Sequence, residues 1–523
     1  MVPNRKTRRN RPFFITLFAL AALSFSPDAA AATDRSDDIR AIVGDFLSNY
    51  QTQLDSTASR LVMDGEILVE KSDHYYAVTL PHIKIEDRDG SMLDIGMIAI
   101  NAMPARTDGD WNMTIAMPTP IITYDENGDP AVTVRIGAQS FAGIYSPRLD
   151  NFYKFNAQYD QINVINHTND LTIDLGRVTM VSDLTANNDD LWSGPTTLTV
   201  DNLHAYSDSQ PGEIRANRIS GQIDIGDYDH KAMAAYEENL MALEESVRSG
   251  DNPAASARHQ AGTYNLFSDF WTQAFNDLSV RLAVKSLFSD SGERDDHPAT
   301  TFSLEQGHIH LGLSGLRQNL AGIHTGLAFQ GFSSDAVKET AIQDIEPQRF
   351  SLNISLNDIP LHDLVVTGRE TFKNTAHIAE SPQLPMIQMA MTMPQMLSAA
   401  GSHMAIRDSY MRNDLYDIGL DAKVTANVEA ALGAVGESRL TIAGMDRLLA
   451  ALKTAGQSDA LPEGKAAQLQ QAATILTILQ MVGQNETNDS GDAVRVYNVE
   501  LNKQGQTLLN GTDMQALMQM TTP

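Results

Sequence analysis

The chain has 523 residues, 38 Lys and Arg against 66 Asp and Glu, a formal net charge of −28 and no cysteine. That length can bury a sizeable core without covalent staples, and the missing thiols exclude disulfides, a lipid-modified cysteine, thiol catalysis and thiolate metal sites. The acidic balance repels phosphate backbones and offers no counterion release, which argues against nucleic acid as a partner.

Residues 1–32 read as a secretory signal peptide. Arg5, Lys6, Arg8, Arg9 and Arg11 make a basic opening, Phe13 to Ser26 an apolar run too short to span a bilayer comfortably, and PDAAAAT a small-residue exit. Cleavage is expected near Ala31 or Ala32, with retention as a membrane anchor the alternative. Arg11 stands where a twin-arginine signal would carry an apolar residue. No second apolar run approaches transmembrane length. The expected product is a soluble protein in the periplasm of a Gram-negative bacterium.

Ser36 and Asp37 are placed to cap a helix. Ile39, Ile42, Val43, Phe46, Leu47, Tyr50 and Leu54 keep to one face of a 3.6-residue period, which predicts an amphipathic helix over 37–57 lying on a sheet. From 58 to 228 the period changes to two. Val78, Leu80, Ile83 and Ile85 run around Pro81. Met113, Ile115 and Met117 alternate, as do Val132, Val134 and Ile136, and Leu171, Ile173 and Leu175; Leu198, Val200, Ile219, Ile223 and Ile225 follow. Asp64-Gly65, Asp89-Gly90, Asn127-Gly128 and Asn187 to Asp190 punctuate the runs with residues that tolerate positive φ or close local hydrogen bonds. The pattern predicts an antiparallel meander with one wet and one dry face.

A helical insert is expected over 229–275. Met233, Tyr236, Leu240, Leu243 and Val247 step by three and four, Gly250 and Pro253 end that helix, and a second helical piece covers His259 to Phe275. Its aromatics (Tyr264, Phe267, Phe270, Trp271 and Phe275) read as packing against the sheet. Strands resume with Leu278, Val280, Leu282 and Val284, then Ile309, Leu311 and Leu313, then Gly322 to Phe332, then Phe350 to Leu356; Asp335 to Asp344 reads as a loop or short helix. Helices are expected near 394–404, 445–454 and 463–483, and strands at 415–432, 436–443 and 494–502. The domains read as 33–228, 229–275 and 276–523.

A small grammar recurs in the last third. In LTIAGMDRLLAALK (440–453) a strand stops at Gly444, and Asp446 is placed to cap a short apolar helix. FSLNISLNDIPLHDLV (350–365) has the strand, with Asp358 as its stop and Pro360 starting a turn. The closing VYNVELNKQGQTLLNGTDMQAL is a hairpin with a short helix after Thr512 or Asp513. The copies keep no strict period, so no solenoid is implied. This strand, stop and amphipathic-helix pattern resembles uncharacterised exported, β-rich envelope proteins of Gram-negative bacteria, loosely AsmA-like. The likeness is best over the C-terminal third and is one of style in the N-terminal strands. It implies elongated sheets with an apolar concave face, linked to lipid handling and outer-membrane biogenesis, and it supplies no catalytic residues. A cleavable signal in place of an anchor departs from that pattern.

Motifs that carry chemistry are scarce. The sequence has no P-loop, HExxH, GxSxG or dinucleotide fingerprint. His308 and His310 share one face of a strand and are the best metal candidates, but no third ligand is evident, and they read as solvated histidines opposite Ile309 and Leu311. Asp125, Asn127 and Asp129 begin like a calcium loop, yet Pro130 stands where glycine is needed, so Asn127-Gly128 reads as a hairpin turn. Asn485 to Asp492 reads as a linker. Met386, Met389, Met391, Met393 and Met396, with His403 and Met404 beyond, offer thioethers to Cu(I), but read first as filling for a core or adaptable groove. Three Trp are few for a polysaccharide cleft, and the abundant carboxylates single out no catalytic pair.

The expected fold is a β-rich α+β protein: an extended, twisted antiparallel sheet in two related halves, with helices packed on one side. The expected function is non-enzymatic, with no catalytic, cofactor-binding or metal residues assigned and no cofactor. A lipid or other apolar ligand would lie in the curve of the sheet. The alternatives are a scaffold that binds a protein partner through strand edges, or an envelope hydrolase with an unrecognised site.

Overall fold

The computed structural model describes residues 34–514 apart from 58, 73, 108, 150, 188–189, 249–252, 294–298, 336–341, 376–383, 458–462, 488–490 and 492. The expected signal peptide and the helix after Thr512 or Asp513 lie wholly or mostly outside the described residues, as does much of 335–344. The fold is β-rich, 53% strand and 26% helix, and the 25 strands among the described residues belong to one large, open antiparallel sheet. The chain divides into two compact units, one reaching to residue 184 with 196–200, the other holding 185–195 and everything from 201.

The first unit opens with helix α1 (Ser36–Thr57). Its start is fixed by Asp34, whose Oδ1 accepts from the Ser36 N–H (3.1 Å) and Oγ–H (2.6 Å), so the capping side chain comes before the expected Ser36 or Asp37. Ile39, Val43, Phe46, Leu47 and Leu54 are buried against Val78, Ile83, Ile95, Ile100, Trp111 and Tyr145. Eight short strands follow: β1 (Ser59–Asp64), β2 (Leu68–Lys71), β3 (Tyr76–Thr79), β4 (His82–Asp87), β5 (Met92–Gly96), β6 (Ala99–Pro104), β7 (Trp111–Ala116) and β8 (Ile121–Tyr124).

Their pairing is β2 with β3 and β1 with β4, then β3 with β6 and β4 with β5, then β6 with β7 and β5 with β8. Each consecutive pair is therefore one long strand broken in the middle, and the four broken strands make the expected meander. The breaks line up and are written in the sequence: Gly65, whose added Cβ would sit 3.3 Å from Pro81, and Gly96, whose Cβ would sit 3.1 Å from Pro118. Proline removes a ladder donor, so a run of prolines at one level ends pairing there.

The unbroken strands β9 (Pro130–Ser146), β10 (Asn151–Asn166) and β11 (Leu171–Asp183) complete the first unit. β9 takes both β7 and β8 on one edge and β10 on the other. Gln161 of β10 has φ 53° and lies between Gly137 and Gly176. A side chain at 137 would collide with Gln161, its Cβ 2.7 Å from Oε1. Across this line the apolar positions change parity: Ala157 and Tyr159 on one side, Ile162 and Val164 on the other. One left-handed residue shifts the alternation of a strand by one, and glycine neighbours make room for it.

The second unit contains β12 (Thr185–Ala186), most of β13 (Trp192–Ser207), β14 (Glu213–Tyr228), α2 (His230–Arg248), α3 (Pro253–Asp269) and a π-helical turn (Phe270–Ala274). Then come β15 (Asp277–Asp290), β16 (Thr301–Ser314), β17 (Ala321–Ser334), β18 (Arg349–Ile359), α4 (Leu361–Thr375), α5 (Leu384–Ala400), β19 (His403–Arg412), β20 (Asp417–Ala426) and β21 (Ala434–Ala443). α6 (Met445–Gly456), α7 (Glu463–Val482), β22 (Gln484–Thr487), β23 (Ala493–Leu501), β24 (Thr507–Leu509) and β25 (Thr512–Asp513) close the described chain. Strands β14 to β21 pair in sequence order, and β23 follows β21.

The helix placed near 394–404 is α5, which starts ten residues earlier and stops at Ala400; His403 already begins β19. Pro394 is a natural first-turn residue, but here it lies inside the helix, where Met, Gln, Ala and Leu carry the segment. After Pro360 there is helix α4, not only a turn. β20 ends at Ala426, where Asn427 N donates to Gly433 O in a turn. Asp446 is not a cap: α6 starts after Gly444, which is left-handed at φ 70°, and Asp446 accepts from Gln480 Nε2 of α7.

Candidate functional site

The second unit carries an apolar surface built by strand register. Ile225, Leu278, Leu313, Ile323, Leu356, Met404 and Val424 are successive cross-strand partners from β14 to β20. Two residues along, so on the same face, run Ile223, Val280, Leu311, Thr325, Ile354, Ile406 and Ala422; next come Gly221, Leu282, Ile309, Leu327 and Leu352. The row after that is Ile219, Val284, Gly307, Phe329 and Phe350. Four rows of aliphatic and aromatic side chains thus share one face.

Helices cover this face only at its margins. Ile225, Leu278 and Leu313 pack with Met233 of α2, Phe270 and Trp271 of the π-turn, and buried Ala274 and Phe275. At the far strands, Met411 and Ile418 pack under Leu448, Leu449 and Leu452 of α6 and Ala473 of α7, while Ile442 and Tyr497 pack with Leu476 and Leu479 of α7. Between them the rows are open. Leu282 is 56% exposed, Ile309 53%, Leu311 45% and Leu327 43%, and Ile219, Ile223, Leu356 and Met404 are also exposed. Strands about 4.8 Å apart make the β14–β19 width roughly 24 Å. A contiguous apolar patch of this kind, left open on a folded chain, marks an interaction site.

The first unit has a smaller apolar groove of about 550 Å³ on β6, β7, β9, β10 and β11, lined by Tyr75, Met103, Ile144, Phe155 and Val181. Gly143 forms part of its floor, and Lys154 and Asp183 close one side as an ion pair (2.8 Å). A second concavity, about 580 Å³ in the second unit, is polar: Asp421 faces Arg439 and Lys423 faces Glu437 across β20 and β21.

His308 and His310 share the face opposite Ile309 and Leu311, as expected, but Ile309 and Leu311 are exposed too, so both faces of the sheet are uncovered here. Among the described residues no group of three or more His, Asp or Glu is placed to hold a metal ion. Asp125 is a turn residue: its Oδ1 accepts from the Asn127 and Asp129 N–H groups (both 2.9 Å), and these bonds hold its carboxyl below the ordinary value. Met386, Met389, Met393 and Met396 fall on one side of α5 by helical spacing and Met391 on the other, while His403 and Met404 belong to β19. His403 is engaged with Asp358 (3.3 Å).

One buried carboxylate escaped the sequence reading. Asp110 is nearly inaccessible, and Tyr153 donates to its Oδ2 (3.1 Å). Burial first, and then the Asp110 charge, push the Tyr153 phenol above its usual range. Neither residue lines either cavity, so the pair reads as a core hydrogen bond.

Compared with protein-family models, with curated proteins and with solved structures, the chain has no significant match.

Proposed function

We propose that this chain is an exported, non-enzymatic protein of the bacterial envelope that holds lipid acyl chains against the apolar face of β14–β19. The observation that carries this reading is the open block of Ile219, Ile223, Leu282, Ile309, Leu311, Leu327, Leu356 and Met404, bordered by helices at its margins. In this reading the helices of the second unit share the apolar side of the sheet and wall the ligand. The reading agrees with the AsmA-like resemblance of the C-terminal third and with a signal peptide at residues 1–32. Each buried methylene contributes about 0.8 kcal/mol, so an acyl chain lying along the block gains affinity from length alone, without a recognition motif. That explains why no sequence signature would mark the site.

The test is native mass spectrometry of the protein purified without detergent, followed by organic extraction. A phospholipid or fatty acid at fixed stoichiometry is the expected result. A clean apo mass, together with no uptake of added phospholipid, overturns the lipid reading and moves the search to a protein partner.

A further inference from the structure

The opposite face of the same strands holds an arrangement that lipid binding does not use. Gln222, Arg281, His310, Gly326 and Asn353 are successive cross-strand partners from β14 to β18. His308 lies two residues along β16 from His310, and His324 lies two residues along β17 from Gly326. Positions opposite, two apart, or diagonal in a sheet lie within about 8 Å, so Arg281, His308 and His324 each lie that close to His310, which is the centre of a patch of one guanidinium and three imidazoles.

The fold makes room for it. Gly326 is buried, and a side chain there would run into the His310 ring and crowd the Asn353 amide oxygen. Gly312, beside His324, is likewise bare. The neighbours on this face are small or neutral: Ser220 and Gln222 on β14, Ser279 and Ala283 on β15, Ala328 on β17, and Ser351, Asn353 and Ser355 on β18. Lys285 and Gln306 continue β15 and β16 beyond the patch. Asp224 is the bordering carboxylate, and both its oxygens accept from the Gln222 amide (2.9 Å each). Asp277 sits at one strand end, engaged by Asn276 and the Gly315 N–H, and Glu305 lies toward the other, near Gln330. Among the described residues none of Arg281, His308, His310 and His324 has a carboxylate partner. In a chain of net charge −28, four uncompensated basic groups on adjacent strands need a reason.

We propose that Arg281 and His310, flanked by His308 and His324, form a binding site for a tetrahedral oxyanion, a phosphate or sulfate group, that fills as the pH falls. The guanidinium supplies a forked, permanently charged donor pair, and the imidazoles supply N–H donors and, when protonated, charge. Burial, followed by the charges of Arg281, His308 and His324, holds the His310 pKa below its ordinary value, so it resists protonation while the site is empty. A bound oxyanion reverses the repulsive part. Anion binding and proton uptake therefore favour one another, and affinity rises on acidification. The phosphate can be free or belong to a phospholipid headgroup.

The experiment uses the full chain with 13C-labelled histidine and reads the imidazole signals by NMR. Inorganic sulfate, which does not titrate in this range, is added at pH 5.5 and pH 8 at constant ionic strength. We expect saturable shifts of the His308, His310 and His324 signals at pH 5.5, at least tenfold weaker binding at pH 8, and at least a tenfold loss in Arg281→Gln. His82 and His204, paired with Asp94 and Glu213 in other parts of the chain, serve as internal controls and should not shift. The proposal is overturned by no saturable shift, by equal shifts in all histidines, or by equal affinity at the two pH values. The last comparison needs no variant, so it stands even if Arg281→Gln folds poorly. Phosphatidylglycerol vesicles at pH 5.5 then separate the sources. Perturbation of the same three signals assigns the site to a headgroup, and a response to sulfate alone assigns it to a soluble oxyanion.

Discussion

Replacing Leu282 and Ile309 together by threonine tests the apolar face at its centre. The two residues are direct cross-strand partners on β15 and β16, and each is more than half exposed, 56% and 53%. Complete burial of such a side chain is worth about 1.5–3 kcal/mol. Folding has therefore already used nearly half of that, and a ligand covering the rest gains roughly 1 kcal/mol from each. Removing both should cost roughly 2 kcal/mol of binding, about thirtyfold in affinity. Because the two touch, the double loss need not equal the sum of the single ones. Threonine keeps the β-branch that suits a strand, so the melting temperature should fall by only a few degrees. The assay is equilibrium binding of a fluorescent phospholipid to the purified protein, with Met63→Thr, a partly exposed apolar position on β1 of the first unit, as control. Unchanged affinity in the double variant, with intact circular dichroism, would refute the assignment of the ligand to this face.

Other predictions follow from single contacts. Gly326→Ala should destabilise the fold by about 1–3 kcal/mol, because the new methyl meets the His310 ring; a denaturant titration that finds no change would place the ring elsewhere. Tyr497→Phe removes a 2.9 Å hydrogen bond to the Leu479 carbonyl from a fully buried phenol, and should cost about 1 kcal/mol by chemical denaturation. Burial pushes the Tyr228 and Tyr416 phenols up to about 12. An ultraviolet pH titration should show these two among the tyrosines that ionise well after the exposed ones. Since the folded state holds these protons more tightly, their contribution to stability is complete below pH 10 and is lost as the pH rises toward 12. At the acid end, His204 and Arg215 hold the Glu213 carboxyl below its ordinary value, so it should titrate below that of a free glutamate in a carboxyl NMR titration; its contribution is present above the unfolded value and is lost as the pH falls through the folded one.

Alternation made the strands legible. Val280, Leu282 and Val284, or Ile309, Leu311 and Leu313, name their own face because a strand turns over every residue. Turn residues made the hairpins legible as well: Gly90 and Gly128 have φ of 90° and 85° where Asp-Gly and Asn-Gly predicted tight turns. The helix α1 was visible in its apolar stripe. The errors cluster where a residue has two uses. Pro394 reads as a helix start and is found inside one, and Asp446 reads as a cap and is found in the first turn. Val78 to Ile85 reads as one extended run around Pro81, and it is found creased there into two strands, because the neighbouring strands break at the same level.

By itself the sequence determined the covalent and periodic facts: no thiol chemistry, an acidic chain, an apolar opening segment, many alternating strands and a few amphipathic helices. Those follow from composition and from the two repeat lengths of regular backbone, and they hold whatever the strands pair with. Tertiary structure decided which apolar faces are covered. Leu313 and Leu311 are equivalent in sequence, two residues apart on one strand face, yet Leu313 packs with the π-turn cluster and Leu311 stands open. Register likewise set Arg281, His308 and His324 around His310, although they come from three strands up to 43 residues apart. Burial and proximity depend on partners distant in the chain, and periodicity carries no information about those.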